Sequence, residues 1–158
     1  MHNLEEDNNQ ARYKPFNSDK PFSWSPKGTY LIVIKAEKVE FLGGSNLKPL
    51  LTINEPKVEA IIFSPCETYV LVYQPKNDFP YAVWNFVSNE KIREFEQAQG
   101  EDANTFKWSY DGAYIAKIMK KAVQTEEGEE QEEGEEATEV FKTYVAVYEL
   151  PSMKLTAD

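Results

Sequence analysis

The side chains able to do chemistry are few and scattered. One histidine, His2, stands in a polar opening stretch, and one cysteine, Cys66, follows Pro65. Nucleophilic catalysis needs a base within hydrogen-bond reach of the attacking group. His2 finds no second histidine to support a triad, and no Gly-x-Ser-x-Gly elbow is present. Cys66 therefore reads as a tolerated turn residue. One Cys and one His do not fill a tetrahedral metal site. Gly43-Gly44 lacks the Lys and the helix that follow in a phosphate loop, and reads as a turn between strands. Residues 126–139 hold nine Glu and no Lys or Arg. They lack the Asp/Asn-rich spacing of a calcium loop. The expectation is no catalytic residue, no metal, no cofactor and no small-molecule substrate.

The aromatic residues Trp24, Trp84, Trp108, Tyr30, Tyr69 and Tyr114 open a different reading, because bases of single-stranded nucleic acid stack on such rings. Charge argues against it. The formal charge is −10, and almost all of it sits in the glutamate run, so the rest of the chain is close to neutral. Lys27, Lys48, Lys57, Lys107 and Lys120 are dispersed and form no dense basic patch. The aromatic residues also recur at matching places, which is what rings filling the same slot of a repeated core do.

That recurrence defines the organisation. Phe22-Ser-Trp-Ser-Pro-Lys-Gly-Thr-Tyr-Leu-Ile, Ile62-Phe-Ser-Pro-Cys-Glu-Thr-Tyr-Val-Leu-Val and Phe106-Lys-Trp-Ser-Tyr-Asp-Gly-Ala-Tyr-Ile-Ala align on Trp24, Phe63 and Trp108. The spacings are 39 and 45 residues, close to the ~40–45 of a WD-type propeller blade. In each unit an aromatic ends an apolar strand, Ser opens a tight turn, and an apolar strand returns: 29–35, 68–74 and 113–119. Further strands are expected at 38–42 and 47–53, at 81–86 and 90–95, and at 143–150. Residues 88–100 also fit a short helix capped by Ser88, although position in the repeat favours a strand.

The expected fold is all-β: about three four-stranded blades of a WD-repeat β-propeller, at about 22–54, 58–97 and 105–158. Residues 1–21 are expected to be a disordered lead. Residues 120–140 are expected to form an acidic solvated loop, and the last strand of the third blade to be incomplete. Propellers typically close with four to eight blades, so three are expected to belong to a larger ring. A lone cysteine suits a reducing compartment. The first twenty residues lack the apolar core of a signal peptide, and no run approaches the ~18 apolar residues of a membrane span. The expectation is a cytoplasmic protein with no membrane contact.

The motifs from Trp24 to Leu31, Phe63 to Tyr69, Phe106 to Gly112 and Tyr148 to Met153, with the Leu42-Gly-Gly44 turn, resemble the propeller of the b subunit of eukaryotic translation initiation factor 3. The resemblance runs from residue 22 to 155. It implies a nine-bladed ring without enzymatic activity, acting as a scaffold with the other factor 3 subunits and the small ribosomal subunit as partners. RNA contact would be indirect or would pass through domains not in these residues: an RNA-recognition-type domain and a helical tail. Three features depart from the family pattern: Phe41 in place of a Trp, Asn85 in place of the WD-type Asp after Trp84, and the glutamate run. The related propeller initiation factor 2A and a WD-repeat scaffold outside translation are the alternatives. No partner-binding residue can be singled out from the sequence.

Overall fold

Each repeat unit closes on itself through one serine. In the computed structural model, which describes residues 18–97, 105–123 and 140–157, Ser25, Ser64 and Ser109 repeat the same hydrogen bonds. Each side-chain Oγ accepts from the backbone N–H of the tyrosine five residues on: Tyr30 at 2.9 Å, Tyr69 at 3.0 Å and Tyr114 at 2.9 Å. Each serine N–H in turn donates to that tyrosine's carbonyl. The turn between them needs a left-handed residue, and Gly28 (φ 73°), Glu67 (φ 63°) and Gly112 (φ 72°) supply it.

The turns join the first two strands of three antiparallel meanders. Blade 1 contains β1 (Ser23–Trp24), β2 (Leu31–Ile34), β3 (Val39–Gly43) and β4 (Lys48–Ile53). Blade 2 contains β5 (Ala60–Phe63), β6 (Tyr69–Tyr73), β7 (Tyr81–Asn85) and β8 (Glu90–Phe95). Blade 3 contains β9 (Phe106–Trp108), β10 (Tyr114–Val123), β11 (Val140–Glu149) and β12 (Lys154–Ala157). Each sheet runs in sequence order, and no α-helix occurs among the described residues. Trp24, Phe63 and Trp108 end the first strands and face Leu31, Val70 and Ile115 in register. A second device also recurs. The ladder between third and fourth strands, or just before it, shifts at Phe41/Leu42, Val83/Trp84 and Val147/Tyr148, and the connecting turn ends on Leu47, Asn89 or Met153 at positive φ.

The strand favoured by position in the repeat is present at Glu90–Phe95. Other expectations change. The fourth strand of blade 3 is present, because Pro151-Ser152-Met153 reverses the chain and Lys154 pairs with Glu149. The expected loop at 120–140 is shorter, because β10 and β11 stay paired as far as Val123 opposite Val140. The glutamates at 126–139 lie outside the described residues. So do residues 1–17 of the lead expected at 1–21; residues 18–21 are described, and the Ser18 hydroxyl and the Asp19 N–H both donate to the Ile34 carbonyl of blade 1 at 2.9 Å.

The core lies between blades rather than within them. Alternate residues of a strand face opposite ways. Ile32 and Ile34 of blade 1 and Val70 and Val72 of blade 2 therefore share one buried cluster with Phe41, Phe63 and Phe86. Leu71, on the opposite face of β6, joins Tyr81, Phe95, Phe106, Ile115 and Tyr148 in the cluster between blades 2 and 3. The middle strand reads Val70-Leu71-Val72 because both of its faces are covered.

Ser64 is fully buried, whereas Ser109 lies near the surface. Ser64→Ala would strand the Tyr69 N–H away from water and is expected to cost about 1–3 kcal/mol. Ser109→Ala should cost less than about 1 kcal/mol, because water can replace its hydroxyl. Urea unfolding of the two variants measures the difference.

Candidate functional site

The turns that bear the repeated serines stand side by side, and the residue at the left-handed position decides how neighbours meet. In blade 2 that residue is Glu67, held in a conformation that favours glycine. Its carboxylate is buried and accepts from the Lys27 N–H of blade 1 at 2.8 Å. Burial works to raise its pKa. Hydrogen bonds from the Ser25 and Thr29 hydroxyls and the Lys27 N–H, together with the Lys27 charge, outweigh this and hold Glu67 below the ordinary glutamate value. Lys27 Nζ also donates to the Cys66 carbonyl at 3.2 Å. Glu67 is thus a clamp across the first blade junction. The sequence signal was the glutamate standing where the other two repeats carry glycine.

At the second junction the same position is Gly112. A side chain there would meet Cys66 Sγ at 2.3 Å, so glycine lets the turns touch. Cys66 lies half-buried in this contact, with Sγ 3.2 Å from Ser64 Oγ. Burial pushes its thiol up, but hydrogen bonds from Ser64 and Thr68 bring it below the ordinary range. Those partners are hydroxyl and backbone groups, not a histidine base, and the arrangement fits packing of the turn rather than attack on a substrate. His2 lies outside the described residues.

The aromatic residues follow the same step from blade to blade. Phe63 of blade 2 lies parallel to Tyr30 of blade 1, with ring centroids 6.2 Å apart, and Trp108 of blade 3 lies over Tyr69 of blade 2 at 6.3 Å. Trp108 Nε1 also donates to the Ile62 carbonyl at 3.2 Å. Trp84 is half-buried and packs against the cluster between blades 1 and 2. Two cations are built into the second junction. Arg93 lies 4.7 Å from the Tyr148 ring centre and donates to the Met153 carbonyl at 2.9 Å, while the buried Lys117 donates to the Glu96 carbonyl at 3.0 Å. The expectation that all the aromatic residues fill core slots is corrected at the two ends: Trp24 is 57% exposed and Tyr114 40% exposed. Among the described residues neither has a ring stacked on it.

On the opposite rim a cleft of about 300 Å³ opens between blades 1 and 2, lined by Lys20, Lys35, Lys57 and Lys76 with Asp19, Glu37 and Glu59. Nearby, Glu40 is pinned by Lys35 and Lys38, each at 2.6 Å, and these hydrogen bonds hold it below the ordinary carboxylate range. The mixed signs suit a polar protein contact better than a phosphate chain. No group of three or more His, Cys, Asp or Glu is placed to hold a metal ion among the described residues.

A family model described as eukaryotic translation initiation factor eIF2A matches residues 1–127. The chain belongs to this family. Its curated relatives include the b subunit of eukaryotic translation initiation factor 3 from Xenopus laevis, 33% identical over 100 residues, which are 60% of this chain and 14% of the relative. The corresponding protein of Culex quinquefasciatus is 29% identical over 66% of this chain and 15% of the relative. That of Chaetomium globosum is 29% identical over 84% of this chain and 19% of the relative. The chain thus spans less than one fifth of these relatives. Among solved structures it is similar to a eukaryotic initiation factor, with TM-score 0.62 and 16% identity over 90% of this chain and 32% of that one. It is also similar to the hydrazine synthase of Kuenenia stuttgartiensis, with TM-score 0.53 and 16% identity over 94% and 38%. At such identities both likenesses show the fold alone. The resemblance read from the sequence and the relatives found point to the same group of initiation factors.

The Glu67 clamp carries a pH signature. A folded-state pKa below the unfolded one gives stability that is complete above the ordinary value of 4.5 and lost as pH falls through the lowered value. Glu67→Gln is expected to cost about 1–3 kcal/mol at neutral pH. The gap between parent and variant should close as the pH drops below 4.5. Thermal unfolding across a pH series measures it.

Proposed function

We propose that the chain contributes propeller surface to the translation initiation machinery as a non-catalytic scaffold. The observation that carries this is the match of its repeat units to relatives named as the b subunit of initiation factor 3. The structure is in keeping with it. The buried aromatic residues are used in holding blade to blade, and the one described cysteine is packed among hydroxyl groups. The partners on this reading are other factor 3 subunits and the small ribosomal subunit, in the cytoplasm. RNA contact is indirect or made by domains outside these residues, and no cofactor takes part. The ring on this reading has more than three blades, nine by the family resemblance. No helix of the described residues is long and apolar enough to cross a membrane.

A second reading has its own observation. The family model is described as initiation factor eIF2A rather than factor 3, which favours an eIF2A-like propeller acting outside the factor 3 assembly. The blades serve either role, so the co-purifying molecules distinguish them.

The test is affinity purification of the tagged chain from lysate of its own source, with the bound proteins and RNA identified. Co-purification of several factor 3 subunits is the expected result. Recovery of small-subunit ribosomal material without any other component of factor 3 would favour the eIF2A-like reading. Recovery of neither would overturn both.

A further inference from the structure

Two cavities adjoin where the chain passes from blade 1 to blade 2. The larger is the cleft of about 300 Å³ described above, and the smaller, of about 100 Å³, is lined by Pro56, Lys57, Gln74, Lys76 and Asn77. Lys57 and Lys76 line both, so these two lysines stand where the cavities meet. Three other lysines of this rim have acid partners: Lys20 lies 3.8 Å from Glu59, and Lys35 and Lys38 share Glu40. Lys57 and Lys76 have none among the described residues. Lys57 is held at φ 56°, and its N–H donates to the Ala36 carbonyl of blade 1 at 2.8 Å. The other side chains at positive φ serve the serine turn or the turn between third and fourth strands, and Lys57 belongs to neither. Backbone strain outside a repeated turn is a mark of binding sites. Gln74 is 4% exposed. Its Nε2 donates to the Pro56 carbonyl at 2.7 Å and to Glu55 Oε2 at 3.4 Å, while its Oε1 accepts no hydrogen bond among the described residues. A buried amide oxygen on the wall of a cavity calls for a donor.

From this we propose that the paired cavities take a peptide segment of a partner protein, with an Asp or Glu carboxylate between Lys57 and Lys76 and a main-chain N–H on Gln74 Oε1. The carboxylate accepts charge-assisted bonds from the two ammonium groups. An apolar side chain beside it in the segment lies over Val58 and Pro75 in the larger cleft. The same cleft carries Asp19, Glu37 and Glu59. Those acids disfavour a nucleic-acid strand, which brings a charge at every step, and tolerate a peptide that presents one carboxylate to the lysines. The cavities lie at a junction inside the chain, so further blades beside the three would not fill them. This site rests on the scaffold reading for the nature of its partner and serves equally in either assembly named above.

The experiment follows the amide NMR spectrum of the isotope-labelled 158-residue chain while the probe peptide acetyl-Ser-Glu-Leu-Ser amide is added. Saturable shifts are expected at Ala36, Val58 and Lys76, with a dissociation constant of about 0.1–10 mM for so short a peptide. Lys57→Glu combined with Lys76→Glu should weaken binding about tenfold or more. Lys76→Glu alone, which leaves the left-handed position untouched, should show part of that loss. The control pair Lys48→Glu with Lys154→Glu changes the charge equally but touches neither cavity, and should bind as the parent does. All four lysines are exposed, so the variants are expected to fold, and circular dichroism checks that they do. Shifts that do not saturate by about 10 mM overturn the proposal. So does equal weakening by the control pair, or tighter binding of a single-stranded oligonucleotide at the same amides. Binding that appears only when the nine glutamates of 126–139 are changed to Gln would assign the cavities to the chain's own acidic run and overturn the partner. None of these results bears on which proteins co-purify with the chain, so the scaffold reading stands or falls separately.

Discussion

A sheet with two apolar faces has no stable existence in water as a single layer, and everything in this fold follows from that constraint. Each meander of four strands carries branched and aromatic side chains on both sides. Stacking is the arrangement that buries them. The clusters between blades 1 and 2 and between blades 2 and 3 are therefore the structural unit, more than the blades themselves. Blade 2, covered on both sides, has its β6 residues Val70, Leu71 and Val72 wholly buried. Stability in such an array is set by junctions, so a change at one interface acts on two blades.

The junctions are alike in layout and different in chemistry. The repeated serine turn fixes where the chain reverses, and the residue in its left-handed position sets the character of the contact. Glycine in blade 3 gives close van der Waals approach to Cys66, whereas glutamate in blade 2 gives a buried carboxylate with several donors around it. The second solution accepts backbone strain and the cost of burying a charge in return for directional bonds. It fixes the rotation of blade 2 on blade 1 more tightly than a contact between apolar surfaces does.

Much of this was legible in the sequence, for a physical reason. Strand ends and tight turns are local, and the same short signature of aromatic, Ser, turn and Tyr occurs three times. Trp24, Phe63 and Trp108 thus announced the blade spacing. What was hidden depended on partners distant in the chain. The extension of β10 through Lys120-Lys121-Ala122-Val123 looked like the start of a charged loop, because nothing local shows that 140–143 lies beside it. Strand β12 is four residues long and too short to carry a pattern of its own. The role of Glu67 appears only once Lys27 of the neighbouring blade is placed beside it.

The hairpin of β10 and β11 sets blade 3 apart. Its strands are ten residues long, against five for β6 and β7, which at ~3.3 Å per residue makes it about 16 Å longer than its counterpart in blade 2. Every step along it from Tyr114 opposite Glu149 to Val123 opposite Val140 is a simple pair without a register shift. Mechanically it is a stalk of adjustable reach. Adding or removing two residues on each strand would move the tip by about 7 Å and keep every side chain on its own face. An odd change would turn the outer segment over. A change in the length of this hairpin that leaves the blade beneath untouched therefore has to come in even steps.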